Sequence, residues 1–128
     1  MSGATLESST GEVLAHTLEW ARTLSRRMRG LIGRAPPLAP GHALVIERAS
    51  QVHTFGVREP IDIVFCDESW IVRHIVRSMH PYRVSRWVAR CRYAVELPGG
   101  TVGSLDTGDR LVLRTADGPG TQPESSDP

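Results

Sequence analysis

The sequence predicts an α+β domain that is mainly β, with a small curled or barrel-like sheet covered by one helix. Short runs of β-branched and aromatic residues recur along the chain, and the best defined is Ile61–Phe65, directly after Pro60. Turn-forming residues such as Pro98-Gly-Gly100 separate these runs. Many short strands with a single amphipathic segment are typical of this class.

Further strands are predicted on both sides of this central run. The segment from Trp70 to Arg77 also fits a helical period, and its β-branched run after Asp67-Glu68-Ser69 favours a strand. The predicted strands are Glu12–Leu18, Ala43–Ile46, a segment near Val52–Phe55, Trp70–Arg77, Val88–Leu97 and Leu111–Arg114.

The one predicted helix begins at a cap on Thr23 or Ser25. Its apolar face would carry Leu24, Met28 and Leu31, and its polar face Arg22, Arg26 and Arg29. This pattern is typical of an amphipathic helix that covers a sheet.

The composition divides the chain into one folded unit and two tails. Residues 1–11 and 116–128 are rich in Ser, Gly, Pro and Thr, which predicts a mobile N-terminal segment and a disordered C-terminal tail. Residues 12–115 then form a single β-rich domain. A chain of 128 residues with 40% hydrophobic content is long enough to bury one core.

The basic residues are concentrated in the middle of the chain. All fifteen are arginine, and with eight acids between residues 22 and 114 they give that region a charge of +7. The chain has no lysine and no asparagine, an omission that GC-rich codon usage would produce. With no secretory signal and no apolar stretch of ~20 residues, we predict a cytoplasmic protein without a membrane span. In that compartment Cys66 and Cys91 are predicted to be reduced core thiols.

Motifs for common cofactors are absent from the sequence. The five histidines and two cysteines show no zinc-type spacing, and no phosphate-cradling GxxxxGK loop, dinucleotide GxGxxG fingerprint or serine elbow occurs. The sequence therefore predicts neither a metal nor a cofactor.

Several short motifs occur in a fixed order along the chain. They are Arg29-Gly-Leu-Ile-Gly-Arg34, His53-Thr-Phe-Gly-Val57, Pro60-Ile-Asp-Ile-Val-Phe65, Pro81-Tyr-Arg83, Glu96-Leu-Pro-Gly99 and Gly108-Asp109. In this order the chain resembles, over about residues 13–114, the domain of unknown function 192 family of small prokaryotic proteins. The resemblance implies a compact, mainly β fold with one helix and supplies no reaction. Val57 stands where the family commonly has methionine, which would alter any site that includes that methionine.

Three polar residues are candidates for chemistry. Asp62 lies in an apolar strand, so it must be paired or hydrogen-bonded. It either anchors arginines or a loop backbone, or faces a ligand. Histidine as a residue type is suited to proton transfer near neutral pH, so His53 is a candidate for that role, unless it is a structural residue. Glu96 ends a long strand and could pair with Asp62 for acid–base work, whereas an arginine between the two would make the pair structural.

The leading hypothesis is a non-catalytic binding or accessory module for an anionic small molecule or an acidic protein segment. Its predicted ligand-binding residues are Arg26, Arg29, His53, Arg58 and Asp62. The alternative is a metal-independent enzyme that uses His53, Asp62 and Glu96 as an acid–base site. Nucleic-acid binding through the arginine-rich surface is a weaker alternative, because aromatic residues make up 5% of the chain and form no recognisable stacking motif.

Overall fold

The computed structural model describes residues 4–23, 27, 30–34, 38–115 and 118–121 of the chain. These residues contain nine β-strands. The strands are β1 (Thr5–Ser8), β2 (Val13–Ala15), β3 (Thr17–Ala21), β4 (His42–Glu47), β5 (Ile61–Cys66), β6 (Val72–Met79), β7 (Tyr93–Pro98), β8 (Leu111–Thr115) and β9 (Gly118–Thr121).

The strands form two sheets. A four-stranded sheet has the order β2-β1-β8-β9, and a five-stranded sheet has the order β3-β4-β7-β5-β6. Strands β3 and β4 run parallel, and the other pairs are antiparallel. Because β8 pairs with β1 and not with the larger sheet, the described strands do not close into a barrel. The single curled or barrel-like sheet expected from the sequence is therefore replaced by two sheets.

The first hydrophobic core lies between the two sheets. Leu6 of β1 and Leu111 of β8 are buried in the same cluster as Val64 of β5 and Val95 of β7. Burial of apolar side chains from both sheets in one cluster holds the sheets together, at about 25 cal/mol for each Å² of apolar surface removed from water.

The second hydrophobic core lies on the opposite face of the five-stranded sheet. Ile63 and Phe65 of β5 and Ala94 of β7 contribute to it from the sheet. Loops cover this face with Leu31, Leu38, Val52, Val57 and Val88. Burial on both faces explains why β5 is a nearly continuous apolar run without polar alternation.

The helix expected to cover the sheet is not confirmed. In that segment Arg27 is the one described helical residue, and its amide donates to the Thr23 carbonyl at 2.9 Å. Gly30 and Gly33 then take positive φ angles of 50° and 80°, which are incompatible with a continuing helix. The remaining predicted helical residues, 24–26 and 28–29, lie outside the described residues. No helix within the described ranges is long and apolar enough to cross a membrane.

Most strand predictions are confirmed. Those at Ala43–Ile46, Ile61–Phe65, Trp70–Arg77 and Leu111–Arg114 agree with β4, β5, β6 and β8 to within two residues. The strand expected at Glu12–Leu18 is two strands, β2 and β3, which His16 separates. The prediction for Val88–Leu97 is correct only from Tyr93 onward. The segment near Val52–Phe55 is not a strand, because in it only His53 forms an isolated bridge, to Val84.

Two strands lie within the segments for which the composition predicts mobility. Residues 5–8 form β1, and residues 118–121 form β9, which pairs with β8. Leu6 of β1 is only 1% exposed and belongs to the first core. Burial of Leu6 and Ser8 and pairing with β2 and β8 hold this strand in the fold although most of its residues are polar.

Trp70 is the largest fully buried side chain among the described residues. It lies in the turn before β6, and its side chain packs in the first core. Its ring stacks on Tyr93 with 3.9 Å between centroids and 13° between planes. Trp20 contacts the same ring edge-on at 6.2 Å. Aromatic contacts of this kind add to the gain from burial.

We expect Trp70→Ala to lower the free energy of unfolding by about 3–5 kcal/mol, because it leaves a large cavity in the first core. Trp87→Ala is the matched control, because Trp87 is 67% exposed and its removal should change the same quantity by less than about 0.5 kcal/mol. Urea denaturation followed by circular dichroism measures both. Equal losses in the two variants would contradict the assignment of Trp70 to the core.

Candidate functional site

Asp62 has a structural role in the fold. It is 1% exposed and lies opposite Leu97 of β7, whose side chain belongs to the first core. Its Oδ1 accepts the Ser78 amide at 2.7 Å, and its Oδ2 accepts the Val102 amide at 2.9 Å. One carboxylate oxygen therefore binds the backbone of β6, and the other binds the backbone of the loop that contains Val102. Of the two roles predicted for Asp62, these bonds correspond to the structural one.

Glu96 lies on the other face of the same sheet. It pairs in register with Ile63 of β5 and Leu44 of β4, both in the second core. Because neighbouring residues on a strand point to opposite faces, the Asp62 and Glu96 carboxyl groups point away from each other. The carboxylate pair considered from the sequence is therefore not formed.

Glu96 is a buried acid with an unsatisfied oxygen. The residue is 3% exposed, and no described group hydrogen-bonds its Oε1. Burial raises the pKa of Glu96 to about 8, and the positive charge of Arg34 acts in the opposite direction. Arg34 itself donates to both carboxylate oxygens of Glu19, at 2.8 and 2.6 Å. Arg34 thus donates its side-chain hydrogen bonds to Glu19 and acts on Glu96 only through its positive charge.

A cavity of about 420 Å³ lies between the five-stranded sheet and the covering loops, with Glu96 in its wall. Its volume is within the range of small-molecule sites, about 300–1,000 Å³. The apolar part of the wall consists of Leu31, Ile32, Ile46, Ala49, Val52, Val57 and Trp87. The polar part consists of Arg27, Glu47, Arg48, Ser50, Gln51, His53 and Glu96.

The second acid in the wall is already neutralised. Glu47 is 7% exposed, and its Oε2 lies 2.7 Å from Arg22 Nε. A carboxylate held by an arginine in this way is satisfied as an ion pair. Glu96 is therefore the acidic side chain of the cavity with capacity for a further partner.

His53 is the sequence-predicted site residue that the cavity includes. Its side chain is exposed and lines the wall, and the Phe55 amide donates to its Nδ1 at 3.2 Å. In the neutral ring that bond leaves the proton on Nε2, so Nε2 can donate to a ligand. The residue is not paired with Asp62, whose oxygens are occupied on the opposite face of the sheet.

Two of the other predicted ligand-binding residues, Arg58 and Asp62, do not join this site. Arg58 is exposed and does not line the cavity. Asp62 is part of the fold, and Arg26 and Arg29 lie outside the described residues. Sequence reasoning missed Arg48 and Trp87, which lie on loops and carry no local signal. Arg48 directly follows β4 with a positive φ of 60°, which turns the chain away from the sheet into the covering loop.

The two cysteines are poor nucleophiles. Burial raises the pKa of the Cys66 thiol well above its ordinary value. Burial also raises the pKa of Cys91 to about 11, and its thiol donates to the carbonyls of Ala49 and Tyr93. Both thiols therefore stay protonated near neutral pH. In the part of the chain that the structure describes, no three His, Cys, Asp or Glu side chains are grouped to hold a metal ion.

We expect Asp62→Ala to lower the free energy of unfolding by about 2–4 kcal/mol, because it leaves the Ser78 and Val102 amides without an acceptor. Asp62→Asn is the matched control: it keeps one acceptor oxygen and should lose less. Urea denaturation at pH 7 measures both changes. An Ala variant as stable as the native protein would refute the structural role of Asp62.

We expect Glu96 to make the protein less stable as pH rises from about 4.5 to 8. In the unfolded chain Glu96 ionises near 4.5, whereas the folded protein keeps its proton until the pKa of about 8. The contribution of Glu96 is thus intact below pH 4.5 and lost by pH 8, a difference of at most about 5 kcal/mol. Urea denaturation across this range should show a flatter profile for Glu96→Gln, and an unchanged profile for the control Glu59→Gln at an exposed position. Parallel profiles for Glu96→Gln and the native protein would contradict the raised pKa.

The comparisons with known proteins agree on a family and a fold. The sequence profile of the DUF192 family, described as Uncharacterized ACR, matches residues 5–113. A UPF0127 protein of Pyrococcus horikoshii is 30% identical over 95 residues, which cover 71% of this chain and 82% of that protein.

Two solved structures are similar to this one. A Sinorhizobium meliloti protein, provisionally described as a transcription regulator, has a TM-score of 0.71 at 25% identity and covers 90% of this chain and 93% of its own. A protein of unknown function from Novosphingobium aromaticivorans also has a TM-score of 0.71, at 22% identity, and covers 84% of this chain and 81% of its own. The second likeness shows the fold alone. By the match over residues 5–113, the chain belongs to the DUF192 family of uncharacterized proteins.

Proposed function

We propose that this protein is a non-catalytic binding module and that its cavity holds an anionic small molecule. The observation that carries the proposal is Glu96, a residue of the cavity wall whose Oε1 is buried and has no described hydrogen-bond partner. Buried polar atoms are nearly always hydrogen-bonded, so an orphaned one in a cavity of ligand size indicates a ligand that completes the bond.

The charges around the cavity favour an anion. With a pKa of about 8, Glu96 is mostly protonated at pH 7 and adds little negative charge. Glu47 is neutralised by Arg22. Arg27 and Arg48 then give the wall a positive charge. A carboxylate or phosphate would lie among these arginines and the His53 Nε2, which donates a further hydrogen bond.

The shape of the site favours a small molecule over an extended protein segment. A concave space of about 420 Å³ with apolar walls can surround a compact ligand. Leu31, Ile46 and Val52 would contact its apolar body, and a protonated Glu96 would donate to an acceptor on it. The residues of this site do not form an extended groove that could hold the acidic protein segment considered from the sequence.

We expect anionic compounds to raise the melting temperature of the protein, because a ligand of the folded state alone stabilises it. A thermal-shift screen with sugar phosphates, nucleotides, inorganic phosphate and dicarboxylates measures this. The shift should disappear in Glu96→Leu and shrink in Arg48→Ala. It should also weaken above pH 8, where Glu96 ionises and repels the anion.

Arg58→Ala is the matched control for this screen, because Arg58 is exposed and lies outside the cavity wall. It should leave the shift unchanged. A shift that depends on Arg58 and not on Arg48 would move the site to the surface predicted from the sequence. The absence of a shift with every anion would refute the proposal.

A second function, proton-transfer catalysis, is favoured by one observation. Glu96 has a pKa of about 8, which suits a general acid or base near neutral pH, and it shares the cavity with His53. The same screen separates the two functions: proton NMR of each stabilising compound should remain constant over hours for a binding module and should change for an enzyme.

A further inference from the structure

We propose that the ligand of this cavity is a nucleotide, with its base inserted beside Trp87 and hydrogen-bonded to Glu96 and its phosphate held by the arginines of the wall. This inference rests on the proposed function and specifies the chemical class of the anion. Three features of the site support it: the exposed aromatic rings, the hydrogen-bonding groups of the buried Glu96 carboxyl, and the arginines of the covering loops.

One exposed aromatic ring lines the cavity, and two more lie beside His53 of its wall. Phe55, Tyr82 and Trp87 are 48%, 69% and 67% exposed. Trp87 and His53 line the cavity, the His53 ring lies 5.8 Å from that of Phe55, and Phe55 contacts Tyr82 edge-on at 6.2 Å. The other large aromatic side chains are in or against the hydrophobic cores. The chain thus places three of its few aromatic side chains on one surface.

The rest of this surface is also apolar. Among the described residues, six large hydrophobic side chains are exposed, and five of them lie on the loops that cover the second core. Ile32 is part of the cavity wall, and Val84 forms a β-bridge with His53. An exposed apolar cluster of this kind on a small domain marks an interaction site.

Planar rings with accessible faces suit a planar ligand. Nucleobases stack on Trp, Tyr, Phe and His, and each stacked base strengthens binding roughly tenfold or more. A purely aliphatic acid would gain nothing from these rings beyond ordinary contact. The composition of the surface therefore favours an anion that carries an aromatic heterocycle.

Glu96 is suited to read the edge of such a heterocycle. A protonated carboxyl group offers a donor and an acceptor side by side, and the edges of nucleobases present donors and acceptors next to each other. Its Oε1 is buried without a described partner, and Glu96 lies in the cavity wall, so we expect a base at the back of the cavity to complete this bond.

The arginines of the loops supply the charge for a phosphate. Arg27 and Arg48 line the cavity, and Arg83 and Arg86, which do not line it, lie in sequence between the exposed rings of Tyr82 and Trp87. Within the described part of the chain, Arg48, Arg83 and Arg86 form no ion pair. These guanidinium groups are thus free to bind phosphate oxygens.

The nucleotide could be a free mononucleotide or an unstacked nucleotide of a single strand, since both offer the same base and phosphate. We expect isothermal titration calorimetry of the full chain to show binding of at least one nucleoside 5′-monophosphate, and at least tenfold weaker binding of ribose 5-phosphate and inorganic phosphate. Tetranucleotides that bind at least tenfold more tightly than the monophosphate would identify the single strand as the source. Equal affinity would identify the free nucleotide.

Variants test the two contacts to the base. Trp87→Ala should weaken monophosphate binding at least tenfold and leave the weak binding of ribose 5-phosphate unchanged. Glu96→Leu should weaken it similarly, whereas Glu96→Gln, which keeps a donor and an acceptor, should retain most of the affinity or change the preferred base. Val13→Ala is the matched control for an exposed apolar residue, because Val13 lies on β2, away from the loops, and is 56% exposed.

The outcomes separate this inference from the proposed function. If ribose 5-phosphate or a dicarboxylate binds as tightly as every monophosphate, the nucleotide assignment is wrong and the anion site stands. If monophosphates bind equally well to Trp87→Ala and Glu96→Leu, the base does not occupy the cavity and the assignment is also wrong. If no anion binds at all, both the inference and the proposed function fall.

Discussion

The central strands of the five-stranded sheet are buried on both faces, and this constraint decides what a polar residue in them can do. All six residues of β5 are buried, as are five of the six residues of β7. Because successive side chains point to opposite faces, a carboxyl group on either strand enters one of two dry layers. One layer is closed by the second sheet, and the other is covered by loops that leave a cavity. The face on which an acid lies thus determines its surroundings.

Asp62 and Glu96 show this constraint at adjacent positions of the sheet. Asp62 enters the closed layer and accepts two backbone amides, so its charge is compensated within the fold. Glu96 enters the loop-covered layer, where burial raises its pKa to about 8 and its Oε1 has no described partner. The same chemical group is therefore a structural anchor on one face and a candidate ligand contact on the other.

The sequence predicted the strands better than the site, for a physical reason. Central strands such as β5 are specified locally by apolar, β-branched residues, so composition locates them. The face on which Asp62 lies depends on its register with β7, and the cavity depends on loops distant in sequence, from Gly30 to Trp87. Such long-range relations leave no local pattern. His53, a candidate because of the motif around it, lies in the cavity wall, whereas Trp87 is isolated in a loop and was not a candidate.

Glu96 is difficult to explain as a purely structural residue. Its neighbours in register, Leu44 and Ile63, are apolar, so an apolar side chain at this position would join the second core without a desolvation cost. A buried carboxyl group with an orphaned oxygen instead costs about 1–3 kcal/mol. Arg34 does not offset this cost with a hydrogen bond, because its guanidinium donates to both oxygens of Glu19. The exposed ring of Trp87 in the same cavity wall also contributes little to folding. A ligand that contacts both residues would account for the buried carboxyl group of Glu96 and for the exposed ring of Trp87.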